Sequence, residues 1–310
     1  MSAGQDPGTD DGGLEAVFEE HRPTLRAVAF RMLGSRGDAE DAVQDAWLRV
    51  SRADVSAVEN MGAWLTTVVA RVCLNELRRR RQRTEVPLVH VPDPIVSPES
   101  GVADPEESAL LADGVGLALL VVLETLSPAE RLAFVLHDMF GVGFADLAVL
   151  LDRSPDAARK LASRARLRVR GQATSPDPDL ARQREVVDAF FAASREGDFE
   201  ALVAVLHPEV VLRSDGGAGR PQLTMVLRGA SSVASQAAST GRLFPFVHRV
   251  LVNGVAGVVV APRRSAQVVM AFTVVDGLVA AIDVLSDPDR LASLDLRGIV
   301  GPDDSPAQRA

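Results

Sequence analysis

The 310-residue chain contains no tyrosine, one cysteine (Cys73) and one lysine (Lys160), and only 4% of its residues are aromatic. With a single cysteine, intramolecular disulfides and cysteine-rich zinc sites are excluded. Nearly every positive charge is therefore an arginine, and the heavy use of Ala, Val, Gly and Arg points to a high-GC genome rather than to any chemistry. No apolar run of 18 or more residues is free of charges and breakers, and residues 1–13 lack the layout of a signal peptide, so a soluble, intracellular (cytoplasmic) protein is expected. Positive charge is also in deficit, 33 basic against 42 acidic residues, a net −9 that at face value argues against a nucleic-acid partner.

The deficit is unevenly spread. Residues 84–113 hold five prolines (87, 92, 94, 98 and 105) and seven acids without one Arg or Lys, which reads as an extended linker unable to bury itself. Residues 171–179, with Pro176 and Pro178, form a shorter break. The expected organisation is a helical module at 14–85, an acidic linker at 86–112, a second helical module at 113–171 and an α+β module at 180–297. The last alternates β-branched runs with glycine breaks at 249–260, 267–275 and 277–285.

In the first module, residues 38–51 read as an amphipathic helix. Ala39, Val43, Ala46, Trp47 and Val50 face a core, and Asp38, Asp41 and Asp45 project together with Glu40 and Gln44 beside them. The helix at 63–81 is apolar over most of its circumference (Leu65, Val68, Val69, Val72, Cys73, Leu77). One polar stripe remains, Thr67, Arg71, Asn75 and Arg78, with Trp64 on the same side. Such a stripe suits a partner's surface, and the arginine run that ends the helix can fork onto phosphates. Cys73 reads as a small core residue.

In the second module, Ser127-Pro128-Ala129-Glu130 reads as a capping box, with a helix to about Met139 broken at Gly141 and Gly143. A short helix follows at 144–151, a turn at Asp152-Arg153, and a third helix from Ser154-Pro155 to about Arg170. This is helix-turn-helix spacing. The third helix has Ala158, Leu161, Ala162, Ala165 and Val169 on one face, and Arg159, Lys160, Ser163, Arg166 and Arg170 opposite, with Arg164 at the edge. Residues 153–170 carry seven basic groups against Asp156, as a major-groove helix requires.

These pieces resemble a family. Asp38 to Arg49, Ala63-Trp64-Leu65 and Asn75-Glu-Leu-Arg78 resemble region 2 of bacterial extracytoplasmic-function (ECF) sigma factors. Leu126 to Arg131, Gly143 to Ala148 and Ala157 to Arg166 resemble their region 4. The resemblance implies core RNA polymerase (its β′ clamp helices and β flap) and promoter DNA as partners. Asp38, Glu40, Asp41, Gln44 and Asp45 become the polymerase-docking face, and Trp64, Thr67, Arg71, Asn75 and Arg78 fall where the −10 element is melted and read. Arg159, Lys160, Ser163 and Arg164 become the −35 contacts. No catalytic residue, metal or cofactor is implied in this subunit, because the polymerase carries out the chemistry.

The α+β module resembles a SnoaL-like cone, a curved sheet wrapped by helices, with a helix at 184–206 broken at Gly197-Asp198, a strand at 210–213 and a helix around 231–239. A subgroup of ECF factors carries such an extension, marked by three motifs. Trp-Leu-Pro-Glu-Pro is represented by His90-Val-Pro92-Asp93-Pro94. Asp-Gly-Gly-Gly-Lys is represented by Asp215-Gly216-Gly217-Ala218-Gly219-Arg220, one residue longer, and Asn-Pro-Asp-Lys-Leu by Asp287-Pro288-Asp289-Arg290-Leu291. The resemblance implies a fused regulator that touches the sigma domains or linker in cis. His207, Asp215, Arg228, His248 and Asp283 are the polar groups that an isomerase-like site or a small-molecule site in the cone would use. The alternatives are a helix-turn-helix regulator with a ligand-binding C-terminus and a stand-alone cyclase or isomerase. The acidic and polar-striped helices of the first module discriminate against the first, since a helix-turn-helix repressor needs neither.

Overall fold

The structure is a computed structural model; residues 11–82, 89–99, 117–172, 176–241, 246–261, 266–294, 296 and 299 are described. Contacts divide the chain into two units, Met1–Gln82 with Ser127–Ala165, and Arg83–Leu126 with Arg166–Ala310.

The first unit is helical. It contains α1 (Asp11–Leu33), α2 (Arg36–Val50) and α3 (Met61–Gln82). Ser35 caps α2, its hydroxyl accepting from the Asp38 amide. The face of α2 that points inward is the expected one, with Ala39, Val43, Ala46 and Val50 buried. Leu65, Val69, Val72 and Cys73 of α3 are buried likewise. Burial pushes the Cys73 thiol up to about 12, so it stays an unreactive core group.

Helix α5 (Pro128–Ala133) starts at a complete Ser127/Glu130 capping box and passes into a wider π-helical turn, Phe134–Met139. Helices α6 (Phe144–Leu151) and α7 (Pro155–Gln172) follow, joined through Asp152 in the left-handed conformation at φ 54°. Helix α5 packs on α3, and the π turn on α1. Arg131 Nη1 donates to the Met32 carbonyl at 2.8 Å, and the Arg31 guanidinium lies 4.9 Å from the centre of the Phe140 ring.

The second unit is built on one seven-stranded sheet in the order β1-β4-β5-β6-β7-β2-β3. Strands β2 (Leu206–Asp215) and β3 (Met225–Arg228) form one edge, and β2 runs parallel to β7 (Leu278–Leu285). The hairpin of β4 (Val247–Val252) and β5 (Val255–Val260) turns at Asn253-Gly254, both at positive φ, the residue pair that a tight primed turn favours. Strand β6 (Val268–Val275) completes the centre. Helices α8 (Leu180–Glu196), α9 (Phe199–Val205) and α10 (Ala230–Thr240) pack on one side. Their shared core holds Phe190, Phe191 and Phe272, edge to face at 5.5–5.8 Å, contacts worth about 1 kcal/mol per pair. Sheet and helices form the α+β cone, and the short α11 (Pro288–Ala292) follows β7.

The structure departs from the sequence reading in two places, one in the linker and one at the start of the second helical module. Residues 89–99 are not extended in solvent. Val89, Val91, Ile95 and Val96 are buried, and β1 (Val96–Pro98) adds as the edge strand beside β4, pairing Val96 with Val252. The reason is that partners elsewhere in the chain supply the hydrogen bonds and positive charge that the segment lacks. The second departure is α4 (Leu117–Glu124), whose residues fall within the expected second helical module. With Leu117, Leu120, Val121, Val122 and Leu123 all buried it has no polar face, and it packs against β7 in the cone's unit.

Candidate nucleic-acid interface and linker clamp

On α2 the acidic residues divide into two groups. Asp38 is 2.7 Å from Arg80, and Glu40 holds Arg22 and Arg26 at 2.9 and 3.0 Å, so these two tie α2 to its neighbours. Asp41, Gln44 and Asp45 are exposed and line a shallow concavity of about 400 Å³ with Asn75 and Arg79 of α3.

The stripe on α3 straddles a ridge. Trp64, Thr67 and Arg71 line a larger groove of about 1180 Å³, with Phe140 to Gly143 and Asp146 contributed from the second helical module. Asn75 faces the acidic concavity, and Arg78 is exposed. The Thr67 hydroxyl donates to the Trp64 carbonyl at 2.7 Å, so its other capacity is as an acceptor.

Helix α7 presents Arg159, Lys160, Ser163 and Arg164 to solvent, and Ala158, Ala162 and Ala165 are fully buried beneath them. Alanine on the inner face brings the helix close to its support while the long cations reach outward. Arg159 is poised by Asp156 at 2.6 Å and lies over the Phe144 ring at 5.3 Å. Arg164 donates through Nε to Glu130 at 3.3 Å, and the other Glu130 oxygen accepts from the Ser127 amide. The buried Glu130 thus links the start of α5 to the exposed helix, a role that the capping-box reading did not foresee.

The three motifs from linker, glycine loop and C-terminal helix meet at one point. Arg290 donates through Nε to Asp93 at 2.6 Å, through Nη1 to Asp215 at 2.8 Å and through Nη2 to the Val91 carbonyl at 2.5 Å. Asp215 also accepts from the Val91 amide at 3.1 Å, with His90 Nδ1 at 3.5 Å. Asp93 and Asp215 are only 5% and 2% exposed. Burial alone would raise the Asp215 carboxyl. His90, the Val91 and Gly217 amides and the Arg290 charge outweigh it and hold the group down at about 2. Pro92 and Pro94 are buried on either side of Asp93.

The glycine loop and the helix cap hold the clamp in register. Gly217 sits at φ 57°, donates to Asp215 Oδ1 at 3.0 Å, and any Cβ there would collide with the Asp287 carboxylate. A Cβ on Gly216 would collide with the Arg220 carbonyl. Asp287 caps α11 by accepting from the Asp289 and Arg290 amides, Pro288 fills the first turn, and Leu291 is buried beneath it. Arg220 bridges the Gln267 and Ser286 carbonyls. Contacts that the motifs did not announce complete the hold: Asn253 Oδ1 accepts from the Ile95 amide at 3.0 Å, the Asn253 backbone N–H donates to the Ile95 carbonyl, and Glu99 lies 2.8 Å from Arg184.

The polar groups considered for chemistry in the cone are dispersed. Asp215 belongs to the clamp. Asp283, its carboxyl raised by burial although Arg213 at 3.1 Å opposes this, lies on β7 between Ile282 and Val284, which belong to the helix-facing core. Its side chain therefore points to the opposite face of the sheet. His207 accepts through Nδ1 from the Glu209 amide next to it. Among the described residues no group of His, Cys, Asp and Glu is arranged to hold a metal.

Residues 17–83 match the Sigma-70 region 2 family, and residues 116–169 match the family Sigma-70, region 4. The chain is 38% identical to the ECF RNA polymerase sigma factor SigJ of Mycobacterium tuberculosis, over 90% of this chain and 94% of that one. The chain belongs to the ECF sigma factors. It is also 33% identical to the probable ECF sigma factor SigI of the same species, over 91% of this chain and 96% of the other. The crystal structure of M. tuberculosis SigJ superposes with a TM-score of 0.71 at 34% identity, covering 91% of this chain and all of that one. The likeness thus runs through both sigma regions and the cone, and the sigma factor acts in transcription initiation, in company with core RNA polymerase and promoter DNA. No described helix is long and apolar enough to cross a membrane.

Proposed function

We propose that this ECF sigma factor docks on the polymerase β′ clamp helices through Asp41, Gln44 and Asp45, with Asp38 and Glu40 shaping that surface from within. Region 4, on the β flap, reads the −35 element through Arg159, Lys160, Ser163 and Arg164. The stripe Trp64, Thr67, Arg71, Asn75 and Arg78 captures the −10 element. Its half-buried ring, hydroxyl and amide and its two exposed guanidinium groups suit unpaired bases and backbone phosphates. The work is done in the cytoplasm, with no cofactor and no reaction catalysed by the cone. Its interior is packed with apolar rings, and its polar candidates are dispersed or engaged in structural pairs.

The cone regulates in cis by holding the linker. The observation that carries this reading is the three-way grip of Arg290 on Asp93, Asp215 and the Val91 carbonyl, in which all three motifs of the extension participate. The two promoter elements lie about 25 base pairs apart, roughly 85 Å of B-DNA. The region 2 and region 4 helices packed together in the first unit must part for both to be read at once. Reconstituted transcription with core polymerase tests the reading. The wild-type chain is expected to direct promoter-specific initiation, and R290A to alter its level without altering the sequences selected. A chain that directs no specific initiation, alone or with R290A, refutes it.

A further inference from the structure

An arginine that reads a base must hold its guanidinium at one angle, because bidentate contact with the O6 and N7 of guanine needs two donors in the plane of the base. A long exposed side chain loses rotamer entropy when it is fixed in this way, and a carboxylate that holds it beforehand removes part of that loss. Region 4 contains such a carboxylate. Glu130, on the first turn of α5 and 4% exposed, lies 34 residues from Arg164 of α7, whose side chain is 58% exposed. Glu130 Oε1 accepts from Arg164 Nε at 3.3 Å, while Oε2 accepts from the Ser127 amide at 3.1 Å and the Ser127 hydroxyl at 2.6 Å. The capping box thus uses one oxygen of the carboxylate, and the other is turned on Arg164. With Nε drawn inward, Nη1 and Nη2 are the donors left for a partner, and together they form the planar fork. Arg164 follows Lys160 by four residues on α7, so both stand on its outward face, above the buried Ala158, Ala162 and Ala165.

We propose that Glu130 is a positioning residue for promoter reading, which turns the fork of Arg164 onto one guanine of the −35 element. This deepens the reading given under Proposed function and rests on it. The pairing also decides what kind of contact Arg164 makes. A guanidinium with a carboxylate behind it carries little net charge, so it draws a phosphate weakly, yet its N–H groups keep their direction. Arg164 therefore contributes to the choice of sequence more than to the general grip on DNA. Selectivity at one base pair is then set by a buried group that touches no DNA. Both residues belong to the region 4 match, so docking of that region on the polymerase leaves the pair together.

The test is selection of bound duplexes, from a pool randomised over both promoter elements, by the full-length chain in holoenzyme with core polymerase. Wild type is expected to select guanine at one or more −35 positions. E130Q is expected to lose about tenfold in preference for guanine at a single one of them, the position that R164A also loses, with all other positions as in wild type. Glutamine offers one acceptor oxygen. Kept on the two Ser127 donors, it turns its NH2 on the Arg164 Nε–H, and the hold on the arginine is lost. On a duplex without a promoter, E130Q is expected to bind at least as tightly as wild type, because Arg164 no longer has a carboxylate behind it. S127A, which removes the hydroxyl of the cap, is expected to lower the unfolding midpoint and leave every base preference unchanged. If E130Q does not fold, E130D serves in its place, since it keeps a carboxylate near Ser127 and is too short for Arg164. Base preferences equal to wild type in E130Q, a uniform loss at all positions, weaker binding to non-promoter DNA, a loss at a position that R164A spares, or the same shift in S127A overturn the role of Glu130. Preferences equal to wild type in R164A instead overturn Arg164 as a −35 contact, the reading beneath it, so the two failures are distinct.

Discussion

Two sets of aspartates in this sigma factor have the same chemistry and opposite surroundings. Asp41 and Asp45 stand exposed on α2 beside a shallow concavity, while Asp93 and Asp215 are buried against Arg290. An exposed carboxylate costs little to keep and remains available to a partner. A buried one is tolerable only with its countercharge and hydrogen bonds supplied, so it specifies one arrangement of the chain. On the proposed reading the first pair governs what the protein binds, and the second governs how the chain is held. Mutations should separate the two roles cleanly.

The largest effect is expected at the buried pair. R290A leaves two buried carboxylates without their cation and should destabilise the cone by about 3 kcal/mol, read as a lowered midpoint in urea with an unchanged slope. A midpoint equal to wild type would place Asp93 and Asp215 with the exposed class. The next is acid. The Asp215 carboxyl, ordinarily near 3.8, is held at about 2 in the folded chain, so its contribution is fully present above about pH 4 and lost as pH falls toward 2. The full contribution is about 2 kcal/mol. D215N should abolish that part of the pH dependence, which equilibrium unfolding at pH 5 and pH 2.5 would show.

At the exposed pair, D41K/D45K should weaken core polymerase binding roughly tenfold, about 1.4 kcal/mol, with no change in unfolding midpoint. Loss of stability instead would erase the distinction drawn above. The smallest change in affinity is expected for R159A/K160A, a threefold to tenfold loss at moderate salt. Its sharper signature is a salt dependence of promoter binding reduced by about two units of slope if both side chains meet phosphates. An unaltered slope would mean that α7 does not lie on the DNA.

The helical regions were legible because their signals are local. Alternating apolar and charged faces on α2, α3 and α7 repeat within a few residues, and the Ser127/Glu130 box and the Asp152 turn lie beside the helices they bound. The whole-chain charge of −9 misled for the same reason: 13 of the 33 basic residues fall within residues 71–83 and 153–170, and only the segmental charge reports on a DNA-facing helix. Residues 89–99 of the linker were misread; the rest of 84–113 lies outside the described residues. Five prolines and seven acids without a base describe a solvated segment when its neighbours in the chain are all that is visible. Its partners lie far away in sequence, Arg290 at 197 residues from Asp93 and Asn253 at 158 from Ile95. Asn253-Gly254 forms the β4–β5 turn, yet nothing local shows that the Asn253 carboxamide is turned on the linker.

By itself the sequence determined the two sigma modules, their helix faces, the order of the domains and the existence of three motifs in the extension, all encoded over short stretches of chain. Tertiary structure alone decided that the motifs form one clamp, that Val96–Pro98 of the linker is an edge strand, and that α4 packs with the cone. Whether a carboxylate is a docking surface or an internal tie depends on what packs over it, and for Asp215 and Asp93 the countercharge comes from 75 and 197 positions away.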